Sequence, residues 1–177
     1  MQKDLPKIDI PIQSIVGTDI TKELLNLYTD SPCRLKAGIF VLLLDGDIEA
    51  SINLVRYQIQ PKSFIILLPQ SILQIHQANG NLKIYFIGFS SEFLQNNNLF
   101  KIIPEYYYQM RERPIIALEE NDKLIYHSYF ELLLKAQENG YLPENSDICK
   151  STLGLLLSYL KETYKKVAPY NTMLIKS

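Results

Sequence analysis

Two histidines and two cysteines are the whole stock of imidazole and thiol in this 177-residue chain, and their spacing limits the chemistry they can do. A facial metal site needs imidazoles and a carboxylate converging on one ion with positions left open. His76 and His127 form no His-x-His pair, and no third imidazole exists, so no metal centre is expected. Cys33 and Cys149 have neither the CxxC spacing of a metal knuckle nor the density of a disulfide scaffold, and reduced thiols are the expectation. A thiol–imidazole nucleophile would need the fold to bring one of them to His76, and no local motif points that way. The seven glycines are scattered at turns, without a Gly-x-Ser-x-Gly elbow or a phosphate-cradling loop. The reading is a non-catalytic chain without metal or cofactor.

Binding asks for less than catalysis. Small-molecule sites are mostly apolar cavities oriented by a few polar groups. Arg34, Tyr57, His76 and Tyr85 bring directional donors into otherwise apolar runs and are the candidate ligand-binding residues. Each has a plainer alternative: Arg34 as a surface charge, Tyr57 and Tyr85 as core aromatics, His76 as a hydrogen-bonded core or rim residue. An interior filled entirely by Ile, Leu and Phe, common in small barrels, would leave an assembly module without a ligand.

The net charge of −1 gives no field to attract phosphate backbones. The densest basic patch, Lys161, Lys165 and Lys166, is interrupted by Glu162 and reads as a solvated helix end, where cations are favoured. The amino terminus lacks the pattern of a signal peptide, and apolar runs such as Ile39–Leu44 are too short to span a bilayer. A cytoplasmic protein with no membrane partner is expected.

These residues must be held by strands in the first two-thirds of the chain and helices in the last third. Residues 1–33 read as an arm interrupted by Pro6, Pro11 and Pro32, able to pair at a sheet edge but not in a sheet centre. Thr21–Tyr28 suits a helical turn. From Cys33 onward β-branched and aromatic residues dominate, with turn residues at short intervals. Gly38–Leu44 and Phe64–Leu68 read as strands covered on both faces, and Glu49–Leu54 as a half-exposed one. Asp45-Gly46 and Asn79-Gly80 are the hairpin signals, the second joining strands Ile72–Ala78 and Lys83–Phe89. About six antiparallel strands at this spacing imply a small barrel or sandwich.

Ser90-Ser91-Glu92 then caps a short helix, Glu92–Leu99. Pro104–Arg113, with its three successive tyrosines, reads as an irregular connection, and Pro114–Leu118 as a possible short strand. Apolar residues from Leu124 to Leu134 recur at helical spacing before the Asn139-Gly140 stop. Ser146-Asp147 caps the last helix, which carries two apolar stripes: Leu153, Leu156, Leu157, Leu160, Tyr164 and Val167 on one side, Ile148, Leu155 and Tyr159 on the other. That arc is wider than one core requires. A second copy of the chain is the simplest partner, which makes Leu153, Leu156, Leu157, Leu160 and Tyr164 the candidate dimerisation residues. Burial of both stripes by the preceding helix and the barrel is the alternative.

The pattern Gly38-Ile-Phe-Val-Leu-Leu-Leu-Asp-Gly46, Ile52-Asn53, Phe64–Pro69 and Ile84–Phe89 followed by Ser90-Ser-Glu-Phe-Leu94 resembles the amino-terminal, cupin-like domain of AraC-type transcription regulators. Arg113–Leu118 and the two helices after it are similar to that family's dimerising linker helices. The resemblance covers about residues 34–167 and rests on apolar and turn patterns. It implies a mainly β fold with C-terminal helices: an arm (1–33), a cupin-like small β-barrel or jelly roll (34–118), an α-helical hairpin for dimerisation (119–168) and a tail (169–177) leading to a DNA-binding domain that is absent. The function it implies is an effector-sensing and dimerisation domain: a homodimer, a small-molecule effector, and DNA only through helix-turn-helix units for which residues 168–177 are too few. The arm, Leu5–Ile12, would close over the effector. A free-standing assembly module and a small cupin enzyme are the alternatives.

Overall fold

The computed structural model describes residues 5–18, 31–97 and 104–166; the proposed helical turn at 21–28, Leu99, Val167 and the tail lie outside them. Eight strands form one mixed sheet: β1 (Lys7–Ile8), β2 (Ser14–Thr18), β3 (Cys33–Leu35), β4 (Gly38–Ile52), β5 (Val55–Ile59), β6 (Ser63–Leu67), β7 (Ile72–Phe89) and β8 (Ile115–Ala117). The helices are α1 (Ser91–Asn97), α2 (Pro104–Glu112), α3 (Glu120–Glu138) and α4 (Ser146–Tyr164). The fold is mainly β with C-terminal helices, as the residue pattern implies.

Two long strands organise the sheet. β4 and β7 pair antiparallel from Gly38↔Phe89 to Ile52↔Leu73, with register shifts between Leu43 and Asp45, Asp45 and Asp47, and Glu49 and Ala50. One end of this pair adds β6, β8 and β2; the other adds β5, β3 and the short parallel strand β1. The two halves fold over one another at the shifts. The expected hairpins at Asp45-Gly46 and Asn79-Gly80 are therefore not turns. Both glycines do take the positive φ that their signals announce, +82° and +76°, but as bulges inside continuous strands, where an extra residue bends the sheet. A Cβ on Gly80 would stand 3.5 Å from the Gly46 Cα, so the bulges face each other and make a corner. The true hairpin turn is Asn53-Leu54, both at positive φ, between the paired residues Ile52 and Val55.

Strand alternation divides the core in two. Leu43, Ile48, Ile52, Tyr57, Ile59, Ile65, Ile75 and Ile84 pack between the folded halves. Phe40, Leu42, Phe64, Ile66, Tyr85, Ile87 and Phe89 point the other way, onto Tyr126, Tyr129, Phe130 and Leu133 of α3 and Leu153, Leu156 and Leu160 of α4. Burying a side chain of this size contributes roughly 1.5–3 kcal/mol. Phe64 stacks on Tyr126 with centroids 4.6 Å apart.

Helix boundaries follow local chemistry. Ser90 Oγ accepts from the Phe93 N–H at 3.1 Å and caps α1. Residues 104–112, read as irregular, form α2: proline opens it, where its missing N–H leaves no helical bond unmade. α4 is capped one residue before the expected Ser146, by the Asn145 side chain accepting from Ile148 N–H.

Candidate functional site

The sheet does not bring the four candidate ligand-binding residues together. Arg34 lies between the inward Cys33 and Leu35 on β3, and its Nη1 donates to the Gln70 carbonyl at 3.0 Å. His76, on β7, stands on the outer face with Nε2 2.6 Å from Ser51 Oγ. Tyr57 alone points into the space between the sheet halves, among aliphatic side chains. Burial, with the charge of Glu112 adding, raises its hydroxyl above the ordinary value. The side chains around it are mainly Ile and Leu, with Cys33, Ala50 and Ala78.

Tyr85 sits in the other layer, where β7 meets α3. Its hydroxyl donates to Glu131 Oε1 at 2.6 Å and lies 3.0 Å from His127 Nε2. His127 and Glu131 are one helical turn apart, with Nε2 3.4 Å from Oε1. The Tyr85 hydrogen bond, followed by the charge of His127, holds the Glu131 carboxyl below its ordinary value. This three-residue link ties sheet to helix; the i,i+4 spacing was readable, Tyr85's place beside it was not.

The five candidate dimerisation residues pack inside the chain. Leu153, Leu156, Leu157, Leu160 and Tyr164 are buried in this chain's own core, and the Tyr164 hydroxyl donates to the Arg113 carbonyl at 2.7 Å. Helix and sheet together offer enough apolar surface to bury that stripe within one chain. What remains uncovered is the other side of the pair. Leu155 on α4 is 42% exposed, and Ile125 and Leu132 on α3 are 46% and 63% exposed. Tyr159, in ring contact with Tyr126 and Tyr129, bridges the two helices beside them.

The feature that sequence reading missed is the fastening of the arm. Asp9 accepts from the Ser91 N–H at 3.1 Å and from the Ser91 hydroxyl. Desolvation pushes the Asp9 carboxyl up, but these bonds, the Ile10 N–H and the charge of Lys36 outweigh it and hold it below the ordinary value. Ser146 Oγ donates to Gln13 Oε1 at 3.1 Å. Ser14 and Cys149 meet at 3.4 Å and both reach the Pro143 carbonyl; burial raises the Cys149 thiol. Val16 N–H donates to Gln137 Oε1 at 3.0 Å, and Gln137 Nε2 donates back to the Val16 carbonyl at 2.7 Å. Ile10 fills the space above Gly88, where a Cβ would come within 2.3 Å of its Cδ1.

Beside this strap a cleft of about 690 Å³ opens between residues 9–13, α1 and the start of α4, with Asp9, Gln13, Ser91, Asn97, Glu144 and Ser146 on its walls. None of the four sequence candidates lines it. Among the described residues, no group of three or more His, Cys, Asp or Glu side chains is placed to hold a metal ion, and no helix is long and apolar enough to cross a membrane.

No protein-family model matches the chain, and no curated protein does. Among solved structures it is similar to an apo form of ToxT from Vibrio cholerae strain SCE256, at 10% identity and a TM-score of 0.46, over 94% of this chain and 62% of that one. It is also similar to the AraC-like transcriptional activator CuxR, at 9% identity and a TM-score of 0.45, over 90% and 51%. A third is ToxT from Vibrio cholerae O395 bound to (E)-4-(8-methylnaphthalen-1-yl)but-3-enoic acid, at 16% identity and a TM-score of 0.39, over 94% and 60%. The chain thus spans 51 to 62% of the length of these solved chains.

Proposed function

We propose that the chain is the effector-sensing and dimerisation part of an AraC-type transcription regulator, which binds a small molecule without transforming it and reaches DNA through a separate helix-turn-helix domain. The observation that carries this reading is the strap. One segment, residues 9–16, is bonded in turn to α1, to α3 and to the start of α4, through exposed bonds at Asp9 and Gln13 and part-buried ones at Ser14 and Val16. Such bonds are individually weak, about 1 kcal/mol each, so a ligand that discriminates between a fastened and a released arm shifts the balance. The cleft beside it is open to solvent and walled mostly by polar side chains, so the ligand that fits it is a polar one held by hydrogen bonds.

In this reading a second copy covers the exposed helical side at Ile125, Leu132 and Leu155 in place of the buried leucine stripe. The protein is a cytoplasmic homodimer.

A thermal-shift screen of small metabolites tests the sensor, because a ligand bound only to the folded state raises its stability by mass action. A hit whose affinity falls when residues 1–13 are removed supports the reading. A hit indifferent to that truncation overturns the strap as the sensing element. The aliphatic packing between the sheet halves favours a second reading, an assembly module without a ligand, and a screen with no hits alongside a stable dimer would select it.

A further inference from the structure

On the face of the sheet turned away from the helices, we infer that Ser51 is a base-activated nucleophile, a covalent acceptor for activated acyl groups, with His76 as its base and Arg56 as the cation beside it.

The sheet builds this group deliberately. β4 and β7 pair Glu49 with Gln77 but Ala50 with Ile75, so His76 is the extra residue of a bulge. Such bulges re-aim a side chain without disturbing the alternation on either side. Ile75 and Ala78 both stay in the core, which an unbroken strand could not arrange at a spacing of three, and the imidazole turns outward to Ser51 Oγ, 2.6 Å from Nε2. On the other flank Arg56 of β5 is the cross-strand partner of Ser51. Directly opposed residues share a face, with Cβ atoms about 4.5–5.5 Å apart. Glu49, two residues along β4 on the same face, pairs with the Arg56 guanidinium. Serine is a weak nucleophile at its free pKa and becomes a strong one beside a base within hydrogen-bond reach; a cation near the attacked carbonyl stabilises the oxyanion that forms.

The step balances with a thioester or aryl ester as the acyl donor. Ser51 Oγ attacks the carbonyl carbon and its proton passes to His76 Nε2. The new O–C bond forms, the bond to sulfur or aryl oxygen breaks with its electron pair on the leaving group, and His76 returns the proton to that group. Ser51 is left acylated and His76 neutral. The product is a modified chain, one acyl group per protein, so the group adds a covalent input to the domain and is independent of the cleft beside the arm.

The test is p-nitrophenyl acetate on the full-length protein, reading nitrophenolate release together with peptide mapping by mass. One acetyl group per chain on Ser51 is expected, with none in S51A. H76Q is expected to slow labelling about 100-fold, the typical contribution of a positioned base, while its thermal midpoint and circular dichroism stay near wild type. Label spread over other serines, or equal Ser51 rates in wild type and H76Q, would overturn the inference.

Discussion

Gln137 holds Val16 by both of its backbone groups, accepting from the N–H at 3.0 Å and donating to the carbonyl at 2.7 Å. A side-chain amide on α3 thus completes the open edge of β2, whose other edge pairs with β7. An unpaired edge invites association with other chains, and here a glutamine stands where another strand would be.

Gln137→Leu removes both bonds while keeping the bulk. The expected loss of stability is about 1–3 kcal/mol, the cost of leaving partly buried backbone groups unsatisfied. Hydrogen exchange at the Val16 amide should accelerate, and Glu138→Ala, one residue along, should leave it unchanged. Equal protection of Val16 in the Leu variant and the wild type would show that the amide is not what closes this edge.

The arm should loosen in acid. The Asp9 carboxyl is held below its ordinary value, near 3.9 for a free aspartate. A group whose folded pKa is depressed stabilises the fold above the unfolded value, and that contribution is lost as pH falls through the folded pKa. The Ser91 and Ile10 amides should therefore be protected at pH 5 to 6 and lose protection below about pH 4, and Ser91→Ala should remove most of the effect. A flat profile across that window would mean that the carboxylate does not fasten the arm.

Substitutions on the two sides of α4 should separate folding from assembly. Leu156→Ala, at a fully buried position, should cost about 2–5 kcal/mol. Leu155→Glu and Leu132→Glu, on exposed positions, should leave the thermal midpoint within a few degrees and convert the proposed dimer to monomer in sedimentation. A dimer that survives both charges would exclude this surface from the interface.

The glycines should respond in a graded way to alanine. Gly154, inside α4 with open space about it, should stabilise by up to about 1 kcal/mol on conversion. Gly140 has positive φ but no atom within 4 Å, so it pays only the left-handed penalty of about 1–2 kcal/mol. Gly46 has the same strain, and its Cβ would meet Leu82 Cδ2 at 2.6 Å and the Asn79 carbonyl at 3.0 Å. Gly46→Ala should be the most damaging of the three, and midpoints in the reverse order would contradict the packed corner.

The residues that announced their structure did so through local chemistry. Pro61-Lys62 and Pro69-Gln70 bound β6 because proline presets the first turn residue, and Lys62 and Gln70 supply the positive φ that follows. The last two helices were legible from their period, and the family-like order of sheet then helices followed. Asp45-Gly46 and Asn79-Gly80 misled because a glycine signals a backbone conformation, and a bulge and a two-residue turn share it. Asn53-Leu54 stayed hidden, since leucine rarely adopts the φ of +71° it takes here. The fastening of the arm could not be read: Gln137 and Val16 are 121 residues apart, and nothing in either local sequence encodes their meeting. The leucine stripe of α4 was recognised as apolar, but which stripe a single chain buries depends on the sheet it lands on.

The facing bulges of β4 and β7 have a final consequence, for how the domain comes apart. Both long strands run unbroken around the corner, so the same two segments form a wall of the inner core and a wall of the helical layer. Neither layer can melt while the other stays intact, because each would have to tear strands from its neighbour's ladder. The molecule should unfold in a single cooperative transition, sheet and helices together, and the corner at Gly46 and Gly80 is what makes it one mechanical unit.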